Sequence, residues 1–103
     1  MTSIQKFTTS GGRIIYSFPV RAFPGLVNNV YLISDGDQLI LVDCGSGYDK
    51  ANDDLLAGVT AVAEQHDHTI SLTAVSTILI THGHIDHYGG LPFVRQFTNA
   101  PIG

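Results

Sequence analysis

The feature that most constrains this chain is a pair of β-type runs separated by a helical one. Leu39-Ile40-Leu41-Val42 is followed by Gly45-Ser46-Gly47, a helical span, and a second β-type run from Val75 to Thr81. Leu39 to Val42 is apolar at every position, so the strand belongs inside a sheet covered on both faces. The next span, roughly Asp49 to His66, places Leu55, Val59 and Val62 on one stripe and Asp49, Asp53 and Asp54 near the positive N-terminal end, as an amphipathic helix requires. A helix joining two strands predicts parallel pairing through a right-handed crossover, and strands joined this way end on the same sheet edge. Asp43, closing Leu41-Val42-Asp43, therefore falls beside whatever follows Thr81, at the edge where open α/β sheets bind ligands.

Upstream, β-branched and aromatic residues dominate from Arg13 to Val20 and from Val27 to Ser34, around the turn signal Ala22-Phe23-Pro24-Gly25. Asp35-Gly36 predicts a tight hairpin, because both residue types tolerate positive φ, and so antiparallel pairing with Leu39 to Val42. Downstream, Gly89-Gly90 precede a helix over Leu91 to Phe97, and Pro101-Ile102-Gly103 resembles the approach to another strand. The fold class expected is α/β, a mixed sheet with helices. At 103 residues the chain holds one domain at most and buries roughly two thirds of its unfolded surface. Helical material suffices for one full layer only. The other sheet face should expose an apolar patch along Ile40, Val42, Ile78 or Ile80, or their opposite-face neighbours, and self-association of the chain is expected.

Thr81-His82-Gly83-His84-Ile85-Asp86-His87-Tyr88-Gly89-Gly90 places three of the five histidines and a carboxylate within six residues. Histidines at i and i+2 of extended backbone point to the same side, and a following Asp-His pair can turn toward a second ion. Imidazole with carboxylate suits zinc, and equally iron or manganese. The plain alternative is a polar loop whose histidines coincide. Composition narrows the partners: a net charge of −4, with Lys6, Arg13, Arg21, Lys50 and Arg95 scattered, offers no footprint for nucleic acid. A small-molecule substrate fits better. The single cysteine, Cys44, excludes an intramolecular disulfide and fits a cytoplasmic, reducing setting. Met1 to Thr9 has no apolar run behind a basic end, and no stretch approaches the length of a membrane span, so no membrane association is expected.

The pattern H-x-H-x-D-H-x-G-G over His82 to Gly90 resembles the metallo-β-lactamase superfamily, a group of mostly hydrolytic di-metal enzymes, and its glyoxalase II, lactonase and thioesterase branch in particular. The resemblance implies the N-terminal half of an αβ/βα sandwich, spanning residues 1–103 as a single partial domain that stops before the later metal ligands. It implies His82 and His84 on one metal, and Asp86 and His87 on the second, with Asp86 also orienting the nucleophile. Two zinc ions in the complete parent would then supply hydroxide to attack an ester, thioester, lactone or related bond. Asp43 matches a strand-closing Asp that supports the metal loop by hydrogen bonding; capping of the Gly45 to Gly47 amides is compatible with the same position. His87 departs from β-lactam-directed relatives carrying arginine there, and His84 from oxygen-reducing relatives carrying glutamate. RNA-processing relatives share the motif and remain an alternative reading, as does a noncatalytic metal-binding or association module. With the later ligands absent, the 103 residues alone are expected to be inactive.

Other candidates have plainer readings. Cys44 reads as small apolar filler, and His66-Asp67-His68 as polar residues closing a helix. Tyr88 reads as packing beside a sheet edge, and Asn29 as part of a structural N-x-Y-L-I element.

Overall fold

The computed structural model describes residues 4–23, 25–48, 50–81 and 88–103. Five strands form one sheet in sequence order: β1 (Gln5–Thr8), β2 (Ile14–Phe23), β3 (Leu26–Ser34), β4 (Leu39–Val42) and β5 (Thr77–Leu79). The first three pairings are antiparallel and the last, β4 with β5, is parallel. Helix α1 (Ala51–Gln65) makes the β4–β5 connection, followed by a single 3₁₀ turn at Leu72–Ala74; a short helix α2 (Leu91–Val94) follows the histidine-rich run.

The parallel crossover and the Asp35-Gly36 turn are where the residue pattern places them. Ser34 pairs with Leu39, and the Asp35 amide donates to the Gln38 carbonyl at 3.2 Å across the turn, with Gly36 at φ 92°. The helix begins at Ala51 rather than Asp49, which lies outside the described residues. Its buried positions Ala51, Leu55, Gly58, Val59 and Val62 recur at three- and four-residue steps, one stripe facing the sheet. That stripe meets Tyr16, Phe18 and Val20 of β2, Val30 and Leu32 of β3, Leu39 and Leu41 of β4 and Ile78 of β5 in one core. The row Tyr16–Leu32–Leu41–Ile78 runs straight across four strands.

Three elements differ from expectation. β1 pairs with β2 although all four of its residues are exposed; an edge strand with no buried side needs no apolar alternation, so no pattern marks it. β2 continues through Phe23 rather than ending at Val20, with an irregularity in pairing between Arg21 and Phe23. β5 is ladder-paired only over Thr77–Leu79, because Val75 instead closes the 3₁₀ turn by donating to Leu72. Pro101 to Gly103 does approach a further strand: Ile102 bridges Ile78 in parallel, and the Gly103 amide donates to the Ile78 carbonyl at 2.7 Å.

The expectation that β4 is covered on both faces requires correction. Leu39 and Leu41 are buried, but Ile40 and Val42 on the opposite face are only half-buried, because α1 covers one face alone. Ile78 is on the covered face and fully buried. Among the described residues, no helix is long and apolar enough to cross a membrane.

One polar clamp fixes the start of α1 against β2. Asp54 accepts from the Arg21 backbone amide at 2.9 Å, from Nε at 2.7 Å and from Nη2 at 2.7 Å. The Arg21 side-chain hydrogen bonds hold the Asp54 carboxyl below its ordinary range, against the opposing effect of partial burial. A carboxyl depressed in the folded state stabilises above its unfolded pKa of about 3.9, and that contribution is lost as pH falls through the lower folded value. Arg21 is largely exposed, so the pair is worth about 0.5–1 kcal/mol. Asp54→Asn should lower stability by about that amount at neutral pH. In urea denaturation the difference should vanish toward the acid end and shrink in high salt.

Candidate metal centre

β2 and β4 both run antiparallel to β3, and β5 runs parallel to β4. The C-terminal ends of β2, β4 and β5 therefore share one sheet edge. That edge carries Phe23, the loop 43–48, and Thr81, the residue before the histidine-rich run. The candidate ligands His82, His84, Asp86 and His87 lie outside the described residues.

Asp43 occupies the end of β4 with φ 66°, the one described non-glycine residue with positive φ. This left-handed backbone costs an ordinary L-residue about 1–2 kcal/mol and is tolerated best by Asn and Asp. The turn buries the carboxylate, leaving Asp43 5% exposed, and aims it at β5. Oδ1 accepts from the Thr81 amide at 2.8 Å, and Oδ2 from the Thr81 hydroxyl at 2.7 Å. The Asp43 amide donates to the Leu79 carbonyl at 2.8 Å, continuing the parallel ladder one residue past the strand. Both carboxylate oxygens are thus committed to the residue from which the histidine-rich run departs. Thr81 is a partner of Asp43 that the motif reading did not single out. It stood at the head of the motif, but a threonine before a histidine carries no signal until the partner strand is in place.

The far end of the run is tied to the same loop. The Gly90 amide donates to the Gly45 carbonyl at 2.9 Å. A Cβ on Gly90 would collide with the Cys44 carbonyl oxygen, and one on Gly47 with the Gly89 carbonyl oxygen. Only glycines let these two backbones touch. Thr81 and Gly89-Gly90, the described residues that flank the histidine-rich run, thus both rest on 43–47.

Cys44 lies within this contact, fully buried. Burial, then the neighbouring Asp43 charge, push its thiol up to about 12, with Arg95 acting weakly in the opposite sense. A thiol so suppressed is neither nucleophile nor ready ligand, which fits a packing role. Asp67 accepts from the Thr69 amide at 3.0 Å and hydroxyl at 2.6 Å, and those bonds hold its carboxyl below the ordinary range. The His66 ring lies 5.3 Å from Tyr16. α1 runs back from the Asp43 edge, so His66-Asp67-His68 closes it at the opposite edge, where Thr69 and Ile70 neighbour the Asp35–Gln38 turn. Among the described residues no three His, Cys, Asp or Glu side chains gather as a metal site.

The surroundings of the anchored edge are apolar. Phe23 and Tyr48 rings pack at 5.5 Å, and Leu26, Val27, Tyr48 and Tyr88 are substantially exposed, Tyr88 at 39%. Of the cations, Arg21 is clamped by Asp54, Arg95 Nη1 donates to the Ala100 carbonyl at 2.7 Å, and Arg13 faces Asp35 at 4.0 Å.

The mixed five-stranded sheet with its crossover helix, and the motif that follows β5, define an α/β domain of the metallo-β-lactamase fold, and comparison with known proteins agrees. Residues 23–103 match the family described as the metallo-beta-lactamase superfamily, and the chain belongs to it. It is 36% identical to ribonuclease J of Mycoplasma genitalium over 87 residues, 81% of this chain and 15% of that protein. A thioesterase of Emericella nidulans is also 36% identical, over 80 residues that cover 71% of this chain and 21% of the relative. Among solved structures, a metallo-β-lactamase family protein from Thermus thermophilus superposes with a TM-score of 0.65 and 29% identity, covering 82% of this chain and 26% of that one. The chain thus spans a minor part of the length of each of these relatives.

Two outcomes follow from the anchors. Gly90→Ala should destabilise the chain by about 2–4 kcal/mol in urea denaturation, combining a backbone collision with loss of a buried hydrogen bond. Cys44 should resist aromatic disulfide reagents at pH 8 in the folded chain and react promptly once urea unfolds it.

Proposed function

We propose that this chain is the metal-binding front part of a hydrolase that cleaves an ester, thioester, lactone or related bond. The observation that carries the reading is the double hydrogen bond from Thr81 to Asp43 at the root of the H-x-H-x-D-H run, within a chain that matches the metallo-β-lactamase superfamily. His82, His84, Asp86 and His87 form a donor set of imidazoles and one carboxylate, which suits zinc and also iron or manganese. When bound, such ions lower the pKa of water toward neutrality and polarise the bond under attack.

The rest is done by the chain's own groups. Asp43 acts through Thr81, holding the backbone from which His82 departs, and so positions the first pair of imidazoles. Asp86 serves both as ligand and as the carboxylate that orients the attacking water. Phe23, Leu26, Val27 and Tyr48 form an apolar wall at the same sheet edge, suited to the acyl part of an uncharged substrate. Arg21 and Arg95 are hydrogen-bonded within the fold, and the net charge of −4 disfavours a polyanion.

The second reading, cleavage of RNA, is favoured by one specific observation: the similarity to ribonuclease J of three organisms at 36–37% identity. Saturation-transfer NMR on the zinc-loaded chain separates the two. An acyl-pantetheine thioester should receive magnetisation from the Phe23 and Tyr48 rings, whereas a short single-stranded RNA that does so instead would replace the first reading with the second.

Metal binding tests the site itself. By titration calorimetry, His84→Ala should remove zinc binding, and Asp43→Asn should weaken it about 10- to 100-fold while retaining a cooperative melt. Zinc affinity unchanged in both variants would sink the proposed ligand set. The chain alone should show little or no turnover.

A further inference from the structure

One guanidinium ties the segment after the histidine-rich run back to the sheet. Arg95 caps α2, and its Nη1 donates to the Thr98 carbonyl at 3.2 Å and to the Ala100 carbonyl at 2.7 Å. Both carbonyls lie outside helix and strand, so the side chain stands in for the backbone donors that regular structure would supply. The Thr98 hydroxyl completes the knot. It donates to the Val75 carbonyl, ahead of β5, at 2.8 Å and accepts from the Ala100 amide at 3.2 Å. From there residues 101–103 run along the side of β5 away from β4, where the Ile78 amide donates to the Pro101 carbonyl at 2.8 Å and the Ile80 amide to the Gly103 carbonyl at 3.4 Å. Ile80 directly precedes Thr81, which Asp43 holds from the β4 side. At the other flank, the Val94 amide donates to the Gly90 carbonyl at 3.0 Å, and the Gly90 amide to the Gly45 carbonyl at 2.9 Å. Arg95 sits where both supports meet: α2 leads back to Gly90, and 101–103 leads along β5 to Ile80.

We propose that Arg95 is a positioning residue for the candidate metal site, acting through Gly90 on one flank of the ligand run and through Ile80 and Thr81 on the other. The proposal rests on the hydrolase reading for what the run holds, and on the hydrogen bonds alone for the tether. Two simpler roles for this arginine make opposite forecasts. Its charge reaches the loop 43–47, where it acts on the Cys44 thiol. A cation in that neighbourhood opposes the entry of a metal ion, so by Coulomb's law alone its removal would tighten zinc binding. An arginine whose methylene stem merely packs against α2 would be replaced by methionine without loss. Positioning requires instead that loss of the donors loosens both flanks and weakens the ion.

Arg95→Met keeps the stem and removes the donors. In the metal-free chain, hydrogen exchange read by NMR should accelerate at the Gly90 and Ile80 amides about tenfold more than at Leu32 in the central strand β3. By titration calorimetry the zinc dissociation constant should rise about tenfold, the low end of what groups behind metal ligands contribute. Arg95→Lys retains a charged donor and should recover most of both losses. Val62→Ala opens a cavity in the core near the far end of α1, and should lower the melting temperature while leaving zinc affinity unchanged. Should Arg95→Met fail to fold, Thr98→Val breaks the same knot at its hydroxyl with no change of charge, and the same two effects are expected. Zinc held as tightly or more tightly by the folded variant, or acceleration at Leu32 equal to that at Gly90, would overturn the proposal. An unsubstituted chain that binds no zinc would overturn the ligand-set reading instead, and the exchange measurement would still decide the tether.

Discussion

The carboxylate of Asp43 is the point on which the functional edge depends. It reaches Thr81 only because the backbone turns into the left-handed region directly after β4, and because β4 and β5 are parallel neighbours. Either condition alone would leave a buried acid without these two bonds, at a cost of several kcal/mol. The strand pairing, the turn and the two hydrogen bonds are therefore mutually dependent. The histidine-rich run inherits its starting position from all three.

Much of this was legible in the residues. Apolar Leu39 to Val42, the helical stripe of Leu55, Val59 and Val62, and the turn at Asp35-Gly36 each obey local rules, so strand order and direction from β2 to β5 follow from pattern and handedness. What escaped was set by tertiary contact. β1 buries nothing and so leaves no pattern, and Thr81 acquires its two side-chain partners only from a carboxylate 38 residues earlier in the chain. The ligand motif itself was legible from residue type and order, and its resemblance to the superfamily agrees with the family match over residues 23–103. The positions of the four ligands fall outside the described residues, so that part of the expectation stands as a proposal.

A relative named for cleaving RNA and one named as a thioesterase are each 36% identical to this chain, the first over 87 residues and the second over 80. The family match over residues 23–103 takes in β3 to β5, the crossover helix and the histidine-rich run, and membership of the family leaves the choice of substrate open. In this chain, the residues free to bias that choice are the ones around the anchored edge. Phe23, Leu26, Val27 and Tyr48 are exposed or half-exposed there, whereas Arg21 and Arg95 are hydrogen-bonded within the fold.

The two tethers on the loop 43–47 also bear on how strongly a short segment can hold an ion. A segment free at one end must lose conformational entropy when its donors gather, and that loss subtracts from affinity. Here the separation of Thr81 from Gly89 is set by the folded scaffold before any ligand arrives, so the closure entropy has been spent in folding. Two glycines and a threonine, residue types that supply no imidazole, thereby set the span that the candidate ligand run has to bridge.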